Sequence, residues 1–186
     1  MKKDAVAGRT IVLGVAGSVA AYKACHIASA LTQRGGVVYT LMTQEALEFV
    51  RPLQFQSLTG KFVATGMFEP AQYAAVEHVR LADVADIVIL APATANLIGK
   101  IAGGLADDIV TATVMATRSP VLIAPAMNVK MYENPIVQRN VACLKERGYR
   151  FVGPEKGHLA CGYEGMGRMS EPEKIIEAAA GILAKK

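Results

Sequence analysis

Four short apolar runs limit what this chain can fold into. "TIVLGVAG" (10–17), "VVYTLMT" (37–43), "DIVILAPA" (86–93) and "PVLIAPAM" (120–127) have strand length and are rich in branched side chains. The first is a short apolar run closed by glycine, the pattern of a buried strand. Segments with helical spacing stand between the four runs. In "SVAAYKACHIASALTQRG", Ala20, Ala24, Ile27, Ala28 and Leu31 share one face, and Gly35 closes the run. "QEALEFV" reads as a short helix, and "VEHVRLADVA" as a helix or turn leading into the third run. "TANLIGKIAGGLADDIVTATVMAT" is helical in pattern but broken at Gly103–Gly104. "NPIVQRNVACLKERG" is a helix with Asn134 as cap and Pro135 in its first turn. "RFVGP" reads as a short strand and "EPEKIIEAAAGILAKK" as a final helix. The alternation predicts an α/β fold: a single-domain doubly wound parallel sheet with helices on both faces, a flavodoxin- or Rossmann-like three-layer sandwich. No repeat or linker interrupts residues 1–186.

Composition narrows the function. With 52% hydrophobic and 19% charged residues, the 186-residue chain is of the globular class. The net charge of +4 is scattered, and aromatics make up only 6%. That excludes a nucleic-acid partner and suits small phosphorylated ligands. The three cysteines, Cys25, Cys143 and Cys161, are odd in number and far apart, which argues against disulfides and a zinc site. "MKKDAVAGRT" lacks an apolar signal core, and no apolar run reaches membrane-spanning length. The expectation is a cytoplasmic protein with reduced thiols, no metal and no membrane partner.

In doubly wound sheets, ligands sit beyond the carboxyl ends of the strands. The four runs are followed there by Gly17–Ser18, Thr43, "PATAN" and "PAMN". Each loop alone is ordinary turn chemistry; four at one edge suggest a binding rim. Gly17 permits close backbone approach, and Ser18 opens a helix whose free N–H groups favour an anion. The lysine and hydroxyl spacing of a P-loop is missing. "GVAGSVA" also lacks the dinucleotide glycine spacing, and the second run ends in Thr43–Gln44 rather than an acid. NAD is disfavoured, and a mononucleotide such as FMN fits better. Further on, "GHLACGYEGMGRM" (157–169) sets Cys161 among glycines and reads as a mobile loop, neither helix nor strand.

Four motifs, "GSVAAYK", "APATAN", "PAMNVKMYENP" and "ACGYEGMGRM", together resemble the homo-oligomeric flavin-containing cysteine decarboxylases, from about Arg9 to the last helix. Within that family the match is to the members that act on 4′-phosphopantothenoylcysteine in coenzyme A biosynthesis. Tyr132 stands where the family usually has tryptophan. The resemblance implies FMN held by Gly17, Ser18, Thr43, Thr94, Ala95, Asn96, Ala126 and Met127. It makes "EHVRLADVAD" the histidine segment, with His78 as base or polar partner in thiol oxidation. It makes Asn128 the donor to the substrate carboxylate and Cys161 the proton donor. Asn128, Ala160, Cys161 and Gly162 would touch substrate, and residues 157–169 would be a substrate clamp. Without the resemblance, His78 reads as a solvated helix histidine and Asn128 as a turn residue or cap, while an inert buried Cys161 is disfavoured because a glycine-rich loop is a poor place to bury one. Cys25, Cys143 and His26 read as structural, and His158 as an exposed clamp residue. The family forms trimers with the active site between subunits, often assembled into dodecamers. In bacteria the module is often fused to a phosphopantothenate–cysteine ligase, so a fused or separate ligase is an expected partner.

The implied chemistry is coherent. Losing CO2 from an alkyl carboxylate leaves a carbanion that needs an electron sink. Oxidation of the substrate's CH2–SH to a thioaldehyde creates one, and an oxidised flavin can take the hydride. The ene-thiol left after CO2 departs regains the hydride from the flavin and a proton from an acid, giving 4′-phosphopantetheine. The cycle is redox-neutral and needs no nicotinamide. A thiol with a pKa of about 8.5 is protonated at neutral pH, and an imidazole titrates near it. Three other readings share the fold: a flavin prenyltransferase, a peptidyl-cysteine decarboxylase that stops at the ene-thiol, and a non-catalytic phosphatase-regulating relative.

Overall fold

The computed structural model describes residues 4–67, 76–158, 162 and 164–185. Its centre is a parallel sheet of six strands: β1 (Thr10–Val15), β2 (Val37–Met42), β3 (Val63–Ala64), β4 (Ile87–Ala93), β5 (Val121–Pro125) and β6 (Arg150–Phe151). The spatial order is β3-β2-β1-β4-β5-β6. The chain winds outward from β1 to β3, returns to β4 beside β1, and winds the other way. The topological switch point therefore falls between β1 and β4, where a crevice must open at the strands' carboxyl ends.

Both sheet faces are covered, which is why β4 and β5 are buried along their whole length. On one face Leu13 and Val15 pack with Ile27 and Leu31 of α1 (Tyr22–Gln33), Phe55 of α2 (Pro52–Thr59) and Ile175 of α8 (Pro172–Leu183). On the other, Val12 and Leu90 pack with Leu81 of α3 (Glu77–Val84), Leu97 of α4 (Ala95–Ala102), Val110 of α5 (Ile109–Ala116) and Val141 of α7 (Pro135–Glu146). Each such large side chain, fully buried, contributes about 1.5–3 kcal/mol.

The expected helix broken at Gly103–Gly104 is two helices, α4 and α5. Asp108 starts the second, accepting from the N–H groups of Val110 and Thr111. The sequence reading left α2 and β3 unassigned. α2 begins on Pro52 and ends on Gly60 at φ 64, ordinary start and stop chemistry. β3 is too short to carry a pattern. A one-turn helix, α6 (Val129–Tyr132), precedes α7.

The segment read as a mobile loop has paired arms. β7 (Glu155–His158) and β8 (Glu164–Arg168) form an antiparallel hairpin. Its polar, glycine-rich strands lack the usual signal because they are held by backbone pairing and by docking onto the loop after β5. There the Met127 N–H donates to the Gly167 carbonyl at 3.0 Å. Contact is so close that a Cβ on Gly167 would fall 2.3 Å from the Met127 oxygen. Among the described residues no helix is long and apolar enough to cross a membrane, and no group of three or more His, Cys, Asp or Glu side chains is placed to hold a metal.

Candidate active site

A cavity of about 390 Å³ opens at the carboxyl ends of β1, β4 and β5, within the size range of small-molecule sites. Gly17 and Ser18 after β1 line it, with Thr43 after β2. Thr94, Ala95 and Asn96 after β4, and Ala126 and Met127 after β5, complete the set that the family resemblance implies for a cofactor. Backbone bonds stitch these loops together. Ala16 N–H donates to the Pro92 carbonyl at 3.2 Å, Thr43 to Val15 at 3.0 Å, and Ala126 to Ala93 at 2.9 Å. A larger groove, about 850 Å³, lies at the opposite edge of the sheet among Arg118, Arg150 and Lys185, far from these loops.

The β1 loop is shaped for close approach. A Cβ on Gly17 would overlap Glu45, so glycine is required there. Ser18 Oγ accepts from the Ala20 N–H at 3.2 Å and starts a 3-10 turn, Val19–Ala21, that runs into α1. Ser18 and Val19, at the start of that turn, line the cavity, where a helix start favours an anion. Thr94 caps α4 by accepting from the Leu97 N–H at 3.2 Å. Thr43 is 6% exposed, and its Oγ1 is buried with no hydrogen-bond partner among the described residues. A buried hydroxyl left unpaired costs about 1–3 kcal/mol, so a polar ligand in this cavity fits the orphaned group.

Glu45, Phe49, Lys100, Asp108 and Met131 also line the cavity and were missed by sequence reading. Lys100 Nζ sits 2.9 Å from Asp107 and 3.0 Å from Asp108. The hydrogen bond that Lys100 donates to Asp107, above all, raises the lysine's pKa, and Lys100 in turn lowers that of Asp107. Asp108 followed by Thr111 is a helix-start signal, which could have placed Asp108 at the mouth.

A second cavity of about 510 Å³ shares Ser18, Val19, Ala126 and Met127 with the first. Its further lining includes Asn128, His158, Arg168 and Lys23. Asn128 caps α6, its Oδ1 accepting from the Lys130 N–H at 2.8 Å. That bond fixes the amide's orientation, so its NH2 is the end that can serve a carboxylate. His158 is exposed and Gly162 lies outside both linings. Ala160 and Cys161 fall outside the described residues. His78 stands in the first turn of α3, half-buried, with Nδ1 buried and unpartnered among the described residues. It lines neither cavity. Cys25 packs against the core, and burial pushes its thiol pKa up. His26 is exposed, and Cys143 is half-buried beneath Arg147.

The Flavoprotein family profile matches residues 2–184. The chain belongs to the Flavoprotein family. This Flavoprotein chain is 49% identical over 171 residues to the coenzyme A biosynthesis bifunctional protein CoaBC of Bacillus subtilis, covering 92% of this chain and 42% of the relative. It is 44% identical over 174 residues to the CoaBC protein of Escherichia coli, covering 94% and 43%. The chain thus spans less than half the length of these curated relatives. A solved Cys→Ser mutant of PPC decarboxylase, complexed with pantothenoylaminoethenethiol, has a TM-score of 0.83 at 30% identity, covering 96% of this chain and 99% of that one. The FMN-dependent cysteine decarboxylase SpaF has a TM-score of 0.82 at 34% identity, covering 97% and 98%.

Proposed function

We propose that this chain is a carboxy-lyase that uses FMN to convert 4′-phosphopantothenoylcysteine to 4′-phosphopantetheine in coenzyme A biosynthesis. The observation that carries the proposal is the junction of the two cavities. A mononucleotide-sized space with an orphaned Thr43 hydroxyl shares a wall with a second space that contains Asn128. The relatives' names support the reaction, and the ligand of the Cys→Ser neighbour is an ethenethiol, the kind of product expected when the final proton is withheld.

Gly17, Ser18 and the adjoining N–H groups hold the FMN phosphate, Thr43 satisfies its hydroxyl on the ligand, and Ala126 and Met127 back the ring. When bound, FMN supplies a two-electron acceptor that later returns the pair. The Asn128 amide donates to the substrate carboxylate and fixes its orientation. Cys161 protonates the ene-thiol carbon, and residues 157–169 act as the clamp that excludes water during the cycle. His78 assists thiol deprotonation in the site of a neighbouring copy, since in one copy it lines neither cavity. The chain works as a homotrimer, alone or in a dodecamer, with a fused or separate ligase supplying its substrate in the cytoplasm. Val76 just before α3, Val79 and Val84 on α3 and Met115 on α5 are exposed apolar side chains that such an assembly would cover.

The test is mass spectrometry of the purified protein with 4′-phosphopantothenoylcysteine and no added reductant. Formation of 4′-phosphopantetheine supports the proposal. An oxidised, decarboxylated ene-thiol as final product would make the chain a peptidyl-type decarboxylase. No turnover by FMN-loaded protein would reject the reaction.

A further inference from the structure

Lys23 belongs to the "GSVAAYK" motif, yet neither FMN binding nor the chemistry above uses it. It is one of the least exposed charged residues described, at 8%, in the first turn of α1 and immediately after the anion loop. A buried ammonium must be paired, because desolvation is costly. Lys23 finds its partners 146 and 148 residues away. Its Nζ lies 2.9 Å from Glu171 Oε2 and 3.4 Å from the Met169 carbonyl oxygen. Both acceptors sit just after β8, where the hairpin runs into α8. Glu171 also takes Arg168, the last residue of β8. Lys23, with Arg168, holds the Glu171 carboxyl below its usual pKa. The hairpin's only other described backbone tie to the sheet edge is Met127 N–H to Gly167. Lys23, Met127, Gly167, Arg168 and Met169 border the second cavity, and Glu171 stands just behind that lining in sequence.

We propose that Lys23 is a positioning residue that anchors the β7–β8 hairpin against the anion loop. It ties the part of the fold that would hold the FMN phosphate to the part that would cover the substrate. It touches neither reacting atom. Its charge holds the base of β8 in place, and so holds Gly167 on Met127, beside Asn128. In the reaction proposed above, on which only the product arm of the test rests, loss of the anchor separates two steps. CO2 release continues, but delivery of the final proton from the hairpin side falters.

The test has two independent arms on the protein as purified. The first is hydrogen exchange at the Met127 amide, with β1 amides as internal control. Lys23→Met keeps the apolar stem and removes the charge; it is expected to speed Met127 exchange roughly tenfold and leave β1 unchanged. Lys23→Arg is expected to stay close to wild type. The second arm is the product split: Lys23→Met should raise the share of oxidised ene-thiol at a preserved rate of CO2 release, and Lys23→Arg should restore it. Wild-type Met127 protection in Lys23→Met would overturn the proposal, as would equal loss in both variants, which would mean packing and not charge. Should Lys23→Met fail to fold, Glu171→Ala removes the anchor from the other side, and unchanged Met127 exchange there overturns it equally. A wild-type protein without turnover would reject the proposed reaction while the exchange arm still decides the role of Lys23.

Discussion

A Cβ on Gly17 would lie 2.5 Å from the Cβ of Glu45, well inside contact distance. The loop after β1 and the turn after β2 thus press together at the candidate phosphate site, and only glycine lets them. Gly17→Ala forces one of them to move. We expect a folded protein that loses about 1–3 kcal/mol of stability. Its FMN affinity should fall roughly tenfold or more, because the displaced N–H groups no longer converge on the anion. Flavin fluorescence titration with a parallel thermal melt checks this. Unchanged affinity would remove the β1 loop from the FMN site.

Thr43 offers a test in which two measurements move in opposite directions. Its Oγ1 is buried without a partner among the described residues. Thr43→Val removes that polar atom while keeping the shape. Without FMN, the variant should be as stable as wild type or more so. With FMN, affinity should fall about three- to tenfold, the worth of one hydrogen bond. Melting temperatures with and without FMN read both effects. A variant that binds FMN as tightly as wild type would mean that the hydroxyl faces something else.

Asn128 carries two jobs that a single substitution can separate. Asp at this position still accepts from the Lys130 N–H, and Asp is as good a cap as Asn. It cannot donate, and it brings a negative charge to a carboxylate. Asn128→Asp should therefore fold normally and bind FMN, yet raise KM for the substrate by roughly tenfold or more. Steady-state CO2 release measures it. An unchanged KM would leave Asn128 with its cap alone.

These residues differ in how readable they were. The strands β1, β4 and β5 are continuous apolar runs because they are covered on both faces, so burial writes itself into the sequence. The eight candidate cofactor residues were named through the family resemblance, and they line one cavity because a parallel sheet brings the ends of its strands to one edge. Lys100 and Asp108 escaped because a lysine and an acid in a helical stretch look like surface charge; only folding turns them toward the cavity. The arms of the 157–169 segment escaped because their pairing is backbone to backbone and needs no apolar side chain. His78 was named through a family motif, and one copy of the fold does not carry it to the cavity wall.

Acid should loosen the hairpin side of the molecule before neutral pH does. The Glu171 carboxyl is lowered by Lys23 and Arg168, and the Glu155 carboxyl, at the start of β7, by Lys174. A group whose folded-state pKa lies below its unfolded value adds stability that is fully present above the unfolded value, about 4.3 for Glu. That stability is lost as pH falls through the lowered folded value. The melting temperature should therefore stay nearly flat from pH 8 to 6 and decline below about pH 4.5. Both carboxylates reach solvent, so the decline should be modest and should shrink in about 0.5 M salt. Lys174→Met should make it shallower by releasing Glu155. Circular dichroism melts across this range check the sign. If the main loss instead falls between pH 7 and 6, these two carboxylates do not govern the acid response.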